Sequence, residues 1–227
     1  MTTTTAQVSL DVESRARQSD GASNEDIYQM VADCLREQHC GGGTLLDVGC
    51  GTGRLWSFVS ANMDRYIGVD AVRYADFADA CEFHLANVDN GKIALADEFA
   101  DVVAAVETIE HLENPRAFMR ELVRLARTGG IVLVTTPNQL SALSLLTLVI
   151  KKRFSAFQDV HYPTHLTALL EIDLRRIATE AGLREISFRY SLGGRLVLTP
   201  WHYPKSLARL FPRALSDNVL MIGRKPK

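Results

Sequence analysis

The chain lacks most of what an exported or nucleic-acid-binding protein is built on. Its four cysteines, Cys34, Cys40, Cys50 and Cys81, show no C-x-x-C spacing. That excludes the usual zinc and thiol-redox patterns and predicts free thiols in a reducing compartment. No charge of one sign dominates: 25 Lys and Arg stand against 27 Asp and Glu, a net charge of −2 at pH 7. Without a basic excess there is no global electrostatic footprint for nucleic acid. Long apolar runs are also missing, since the strongly apolar stretch at 140–150 is too short to span a bilayer. Residues 1–20 are Thr-rich and then charged, with no apolar segment of the kind a secretory signal carries. These absences predict a cytoplasmic protein whose residues 1–22 form a flexible lead-in with little to bury.

What is present is ordinary for a globular protein: 47% hydrophobic and 23% charged residues in 227. A chain of this length buries one large core, so residues 23–227 are expected to form a single domain. An apolar, then basic, insertion interrupts it at about 138–165. Within the domain, short apolar or β-branched runs alternate with helical stripes. Strands are expected at 44–48, 66–70, 82–86, 101–106, 131–135, 184–191 and 218–223. Helices are expected at 24–38 (with Asn24 as cap), 53–61, 114–127 and 168–181, the last closed by Gly182. Strands alternating with helices predict an α/β fold with a doubly wound, mostly parallel seven-stranded sheet. The approach to the last strand is irregular and carries Pro200, Pro204 and Pro212, which suits an antiparallel seventh strand beside the sixth.

The most specific segment is Leu45-Leu46-Asp47-Val48-Gly49-Cys50-Gly51-Thr52-Gly53, an apolar strand running into alternate glycines. A dinucleotide site usually reads G-x-G-x-x-G, so that a helix N-terminus meets the pyrophosphate. Here Arg54 stands where that third glycine would be, which disfavours a nicotinamide oxidoreductase. Asp47 at the turn repels a pyrophosphate but suits a ligand with an ammonium group. The run resembles the first motif of the class I S-adenosylmethionine-dependent methyltransferases, and the resemblance extends over about residues 44–190. It implies the Rossmann-like methyltransferase fold, with an antiparallel last strand, and S-adenosylmethionine as cofactor.

On that resemblance the cofactor residues are Asp47, Gly49, Cys50, Gly51 and Gly53 in the loop, then Asp70 and Ala71 after strand two. An acid at the tip of strand two can accept hydrogen bonds from both ribose hydroxyls. Asn87 and Val88 after strand three match the adenine position, with Asp89 as the match if the strand slips by two. Val106 closes the set at the end of strand four.

Strand four runs into Glu107-Thr108-Ile109-Glu110-His111, an E-x-x-E-H pattern. If a helical turn begins near Glu107, positions 107, 110 and 111 share one face. Two carboxylates and an imidazole there could hold Mg²⁺, Mn²⁺ or Zn²⁺. The pattern is similar to two methyltransferase groups, the ubiquinone-pathway O-methyltransferases and the RNA 3′-terminal 2′-O-methyltransferases. The first implies a later His ahead of a helix acid, an offset that His161 and Glu171 reproduce. The implied metal set is Glu107, Glu110, His111 and His161, with His111 and His161 also the candidate catalytic bases. A plainer reading has Glu110 capping a turn, His111 lining the acceptor pocket, and His165 as a pocket wall or a residue leading into the next helix.

Two imidazoles on the acceptor side favour methyl transfer to a hydroxyl, which must lose a proton, over transfer to carbon or nitrogen. A small molecule or a glycan is the expected acceptor, with RNA a further alternative. A methyltransferase fold acting as a binding or regulatory subunit is the other class to keep open. The insertion at 140–153 reads as a pocket lid, a dimer contact or a peripheral membrane patch with Lys151, Lys152 and Arg153 facing lipid phosphates.

Overall fold

The computed structural model describes residues 13–14, 16–19, 21–89, 92–197 and 199–227. Seven strands form one sheet: β1 (Thr44–Val48), β2 (Arg65–Asp70), β3 (Glu82–Leu85), β4 (Ala100–Ala105), β5 (Ala126–Pro137), β6 (Arg184–Tyr190) and β7 (Asn218–Arg224). Their order across the sheet is β3-β2-β1-β4-β5-β7-β6. Neighbours among the first five pair in parallel, while β7 is antiparallel to both β5 and β6. The central strands are short continuous apolar runs, as expected of strands covered on both faces.

Alternate strand residues feed two separate cores. On one face Leu46, Val48, Val103 and Val132 pack against α3 (Pro115–Leu125) and α5 (Glu171–Glu180), through Phe118, Met119, Leu122 and Leu174. On the other, Leu45, Val102, Ala104 and Leu133 pack against α1 (Glu25–Glu37), through Val31, Cys34 and Leu35. The α3 helix opens on Asn114, whose Oδ1 accepts the Ala117 amide at 3.0 Å, with Pro115 in the first turn. Asn24 does stand at the N-cap of α1, but its side chain makes no capping bond.

Several element boundaries differ from those read in the sequence. The helix expected at 53–61 is α2, only Trp56–Val59, because the preceding loop folds as three-residue turns. Gly53 N donates to Cys50 O at 2.8 Å and Trp56 N to Gly53 O at 3.1 Å. Strand β5 begins well before Ile131, extended through the Gly129–Gly130 step by bonds to Lys225 of 3.0 and 2.9 Å. The α5 helix starts at Glu171 and not at 168, because the chain before it is held elsewhere: Leu166 and Thr167 amides donate to Glu110 O at 2.8 and 3.0 Å. The insertion contains α4 (Ala142–Lys151) and a single 3₁₀ turn at Asp159–His161. A last short helix, α6 (Lys205–Leu210), precedes β7.

Strand order reverses between β1 and β4, so the loops leaving their carboxyl ends open a crevice. Those loops are 49–55 and 106–114. Thr108 ties them together, its Oγ1 donating to Val48 O at 3.3 Å. No helix among the described residues is long and apolar enough to cross a membrane.

Candidate active site

A cavity of about 410 Å³ lies in this crevice. At one end the glycine loop forms its floor. Gly49 and Cys50 amides both donate to Val69 O, at 2.7 and 3.1 Å, which folds the loop back over β2. Gly49 has φ +81° and a side chain there would run into Thr108; Gly51 has φ +52° and faces the Gly21 carbonyl. Only glycine meets both demands at both positions. Asp70 anchors the loop from the tip of β2, with Oδ2 accepting the Gly51 amide at 2.8 Å and Oδ1 the Val72 amide at 3.3 Å.

Asp47 points to the α1 side of β1, where Tyr66 from β2 donates its hydroxyl to Asp47 Oδ2 at 2.6 Å. The other oxygen, Oδ1, is buried with no hydrogen-bond partner among the described residues, on a residue 2% exposed that lines the cavity. Burial pushes the Asp47 carboxyl up to about 7, against the opposing pull of the Tyr66 bond. Burial also raises Asp70, opposed by the Gly51 and Val72 amides. A buried carboxyl with one orphaned oxygen is costly unless a ligand completes it. An ammonium group is the natural complement, and S-adenosylmethionine carries one.

The cavity is also lined by Glu107, Glu110, His111, His161 and His165. Glu107 has φ +50° and is clamped by two strands: Thr135 Oγ1 donates to its Oε1 at 2.9 Å and Asn218 Nδ2 to its Oε2 at 2.8 Å. Glu110 is fully buried, with Oε2 accepting from Thr136 at 3.2 Å and Oε1 without a partner among the described residues. Burial raises both carboxyls well above the ordinary range, and the Glu110 carboxyl raises Glu107 further. His111 Nδ1 lies 2.8 Å from Thr164 O, and His165 Nδ1 2.7 Å from Ala156 O. A carbonyl can only accept, so each Nδ1 carries a proton, and in a neutral ring the lone pair then sits on Nε2. Burial, then the neighbouring His111, lowers His165 to about 4, which keeps it neutral at pH 7.

The oxygen and nitrogen atoms of Glu110, His111 and His165 lie within 4.8 Å of one another, a spacing that can hold a cation. This differs from the set expected from the sequence. Glu107 is directed to Thr135 and Asn218 and is outside that group. His161 stacks on His165, centroids 5.4 Å apart, but its Nδ1 accepts the Gln158 amide at 3.1 Å. In the neutral ring its remaining nitrogen therefore bears the proton. Glu171, the acid paired with His161 by offset, is taken by Tyr190 at 2.8 Å and by both guanidinium arms of Arg213. The expected common face of 107, 110 and 111 does not form, because the turn begins only at Ile109 and Glu107 stands before it in a left-handed conformation.

Comparison with known proteins bears on the same residues. A family model described as "Methyltransferase domain" matches residues 24–187. The chain belongs to the S-adenosylmethionine-dependent methyltransferase family. A Mycolicibacterium smegmatis protein named "Probable S-adenosylmethionine-dependent methyltransferase" is 31% identical over 121 residues, 52% of this chain and 45% of that protein. A ubiquinone biosynthesis O-methyltransferase of Thiobacillus denitrificans is 26% identical over 144 residues, 63% of this chain and 61% of that one. The chain thus spans about half the length of the first relative and under two thirds of the second. In fold, it is similar to a crystal structure of a SAM-dependent methyltransferase from Archaeoglobus fulgidus. That similarity has a TM-score of 0.62 at 18% identity and covers 87% of this chain and 94% of that one.

In this methyltransferase fold, Asp47, Gly49, Cys50, Gly51, Asp70, Ala71, Val88 and Val106 all line the cavity. Two expected cofactor residues do not. A side chain at Gly53 would meet the Phe77 ring, so this glycine serves loop packing. Asn87 Oδ1 accepts the Asp89 amide at 3.0 Å, closing a local turn, and Asp89 in turn accepts the Glu113 amide at 2.9 Å. The stretch expected to be a loose lead-in contributes walls instead: Ala16, Gln18, Ser19, Gly21 and Ala22 border the cavity. Gly21 O accepts the Thr52 amide at 2.8 Å, and the Tyr74 hydroxyl donates to Ala16 O. Residues 1–12, 15 and 20 lie outside the described residues. Tyr74 carried a readable signal, an aromatic in a polar loop just past Asp70. Asn218 carried none, since its role depends on β7 lying beside β5.

Proposed function

We propose that this chain transfers the methyl group of S-adenosylmethionine to a hydroxyl oxygen of a small molecule or glycan. The observation that carries this reading is the convergence of His111 and His165, each with Nδ1 on a backbone carbonyl, beside the buried Glu110 carboxyl in the cavity that the glycine loop also lines. The relatives named ubiquinone biosynthesis O-methyltransferase support an oxygen acceptor.

When bound, S-adenosylmethionine supplies a methyl on a sulfonium sulfur, ready for in-line displacement. The protein's share is to hold two reactants in near-attack geometry and to take a proton. Asp47 Oδ1 would pair with the ammonium group, and Asp70 would hold the ribose side. At the acceptor His111 would take the hydroxyl proton as the carbon–oxygen bond forms and the methyl carbon–sulfur bond breaks, leaving a neutral thioether. The Thr164 carbonyl orients that ring and stabilises the imidazolium. A divalent cation held by Glu110, His111 and His165 would instead lower the hydroxyl pKa, and the residues present suit it. One carboxylate and two imidazoles, with carbonyls behind both rings, are a donor set typical of Mn²⁺ or Zn²⁺.

The experiment is an acceptor screen with isotopically labelled donor, followed by mass spectrometric location of the methyl group. An O-methyl product whose formation drops at least about tenfold in His111→Ala supports the reading. An N- or C-methyl product, or a His111→Ala variant with full rate, refutes it.

A further inference from the structure

The α4 helix is turned inside out. Of its ten residues only Ser144 is buried, while Leu145, Leu146, Val149 and Ile150 are exposed, the last two at 68%. At positions i, i+1, i+4 and i+5 these four share one face. None of residues 140–153 lines the cavity, so the helix is not a lid over it. A second exposed apolar group, Trp201, Leu207, Leu210 and Phe211, surrounds α6. The two segments meet where the Ala142 amide donates to Ala214 O at 2.8 Å and Asn138 Nδ2 to Arg213 O at 2.7 Å.

The charge on these segments is one-sided although the chain as a whole has net charge −2. No acid occurs in 140–158 or in 186–216, while both carry several Lys and Arg. Arg153, Lys205 and Arg213 are neutralised by Asp159, Asp26 and Glu171. Lys151, Lys152 and Arg209 have no acidic partner among the described residues and flank the apolar side chains.

We propose that α4 and the α6 region form a docking surface for an anionic lipid bilayer, with the apolar side chains entering the interface and Lys151, Lys152 and Arg209 meeting lipid phosphates. A surface of exposed apolar side chains edged by unpaired cations is the chemistry such a membrane selects, and Trp201 suits the headgroup level. A second copy of the chain fits less well. A two-fold interface sets each patch against itself, and these acid-free patches bring like charges together. The proposal is independent of the acceptor argued above.

The test is flotation with phosphatidylcholine vesicles, with and without phosphatidylglycerol, at low and raised salt. The chain is expected to float with the anionic vesicles at low salt, to stay behind with neutral ones, and to blue-shift Trp201 emission on binding. Reversing two basic side chains in Lys151→Glu/Lys152→Glu lowers the partition coefficient by on the order of 25-fold, at about 1 kcal/mol per lost contact. Val149→Ser/Ile150→Ser acts through the apolar share. Calorimetric titration with S-adenosylmethionine confirms that each variant is folded, and is expected to be unchanged. Equal or absent flotation on the two vesicle types overturns the proposal. So does a concentration-dependent dimer, seen by light scattering, that Val149→Ser/Ile150→Ser abolishes.

Discussion

Asp47→Asn isolates a buried carboxyl that has a protein partner on only one oxygen. In the wild type the buried carboxyl titrates at about 7, so near pH 7 about half of the free protein carries it protonated. Only the ionised form complements an ammonium group. Cofactor affinity should therefore weaken as pH falls below 7, approaching tenfold per pH unit and about 100-fold by pH 5. Asn keeps the shape and the Tyr66 contact but carries no charge. Losing one charged hydrogen bond costs about 1.5–3 kcal/mol, or roughly 10- to 150-fold in affinity at pH 8, and flattens the pH slope. Calorimetric titration of S-adenosylmethionine from pH 5 to pH 8 reads both effects. Free-protein stability runs the other way. A carboxyl raised on folding stabilises fully below about pH 4, and that contribution is lost as pH rises through about 7. Asp47→Asn should therefore be relatively more stable at pH 8 than at pH 5. Burial raises Asp70, Glu107 and Glu110 too, so the binding slope is the sharper test. A wild-type affinity independent of pH, with Asp47→Asn equally tight at pH 8, would show that Asp47 does not meet the ligand's charge.

Tyr66→Phe removes the one hydroxyl that steadies Asp47. The pH midpoint for cofactor binding should move upward, and urea denaturation at pH 8 should show a loss of about 2 kcal/mol. Gly51→Ala places a methyl 2.0 Å from the Gly21 carbonyl at φ +52°. It should displace Gly21 from the glycine loop and weaken cofactor binding at least tenfold by calorimetric titration. If a cation assists, His165→Ala and Glu110→Gln should abolish metal-dependent turnover while His161→Ala keeps most of it. Full activity in chelator leaves His111 as the base without a metal.

Much of this molecule was legible locally. Asp47, the alternating glycines and Asp70 are set by strand tips and tight turns, whose geometry depends on near neighbours in sequence. The apolar central strands likewise announced a sheet covered on both faces. What sequence order left open was decided at long range. His165, not His161, joins Glu110 and His111. The reason is that the 164–167 backbone bonds to His111 and to Glu110 O, a contact between segments some fifty residues apart in the chain. Asn218 clamps Glu107 only because β7 inserts beside β5. Ala16, Ser19 and Gly21 border the cavity because Gly21 O meets the Thr52 amide of the glycine loop and Tyr74 meets Ala16 O. And α4 is apolar by composition, but only the tertiary structure shows that its apolar face points outward, where nothing among the described residues covers it. Periodicity reveals that a helix has an apolar face; packing alone decides what, if anything, that face meets.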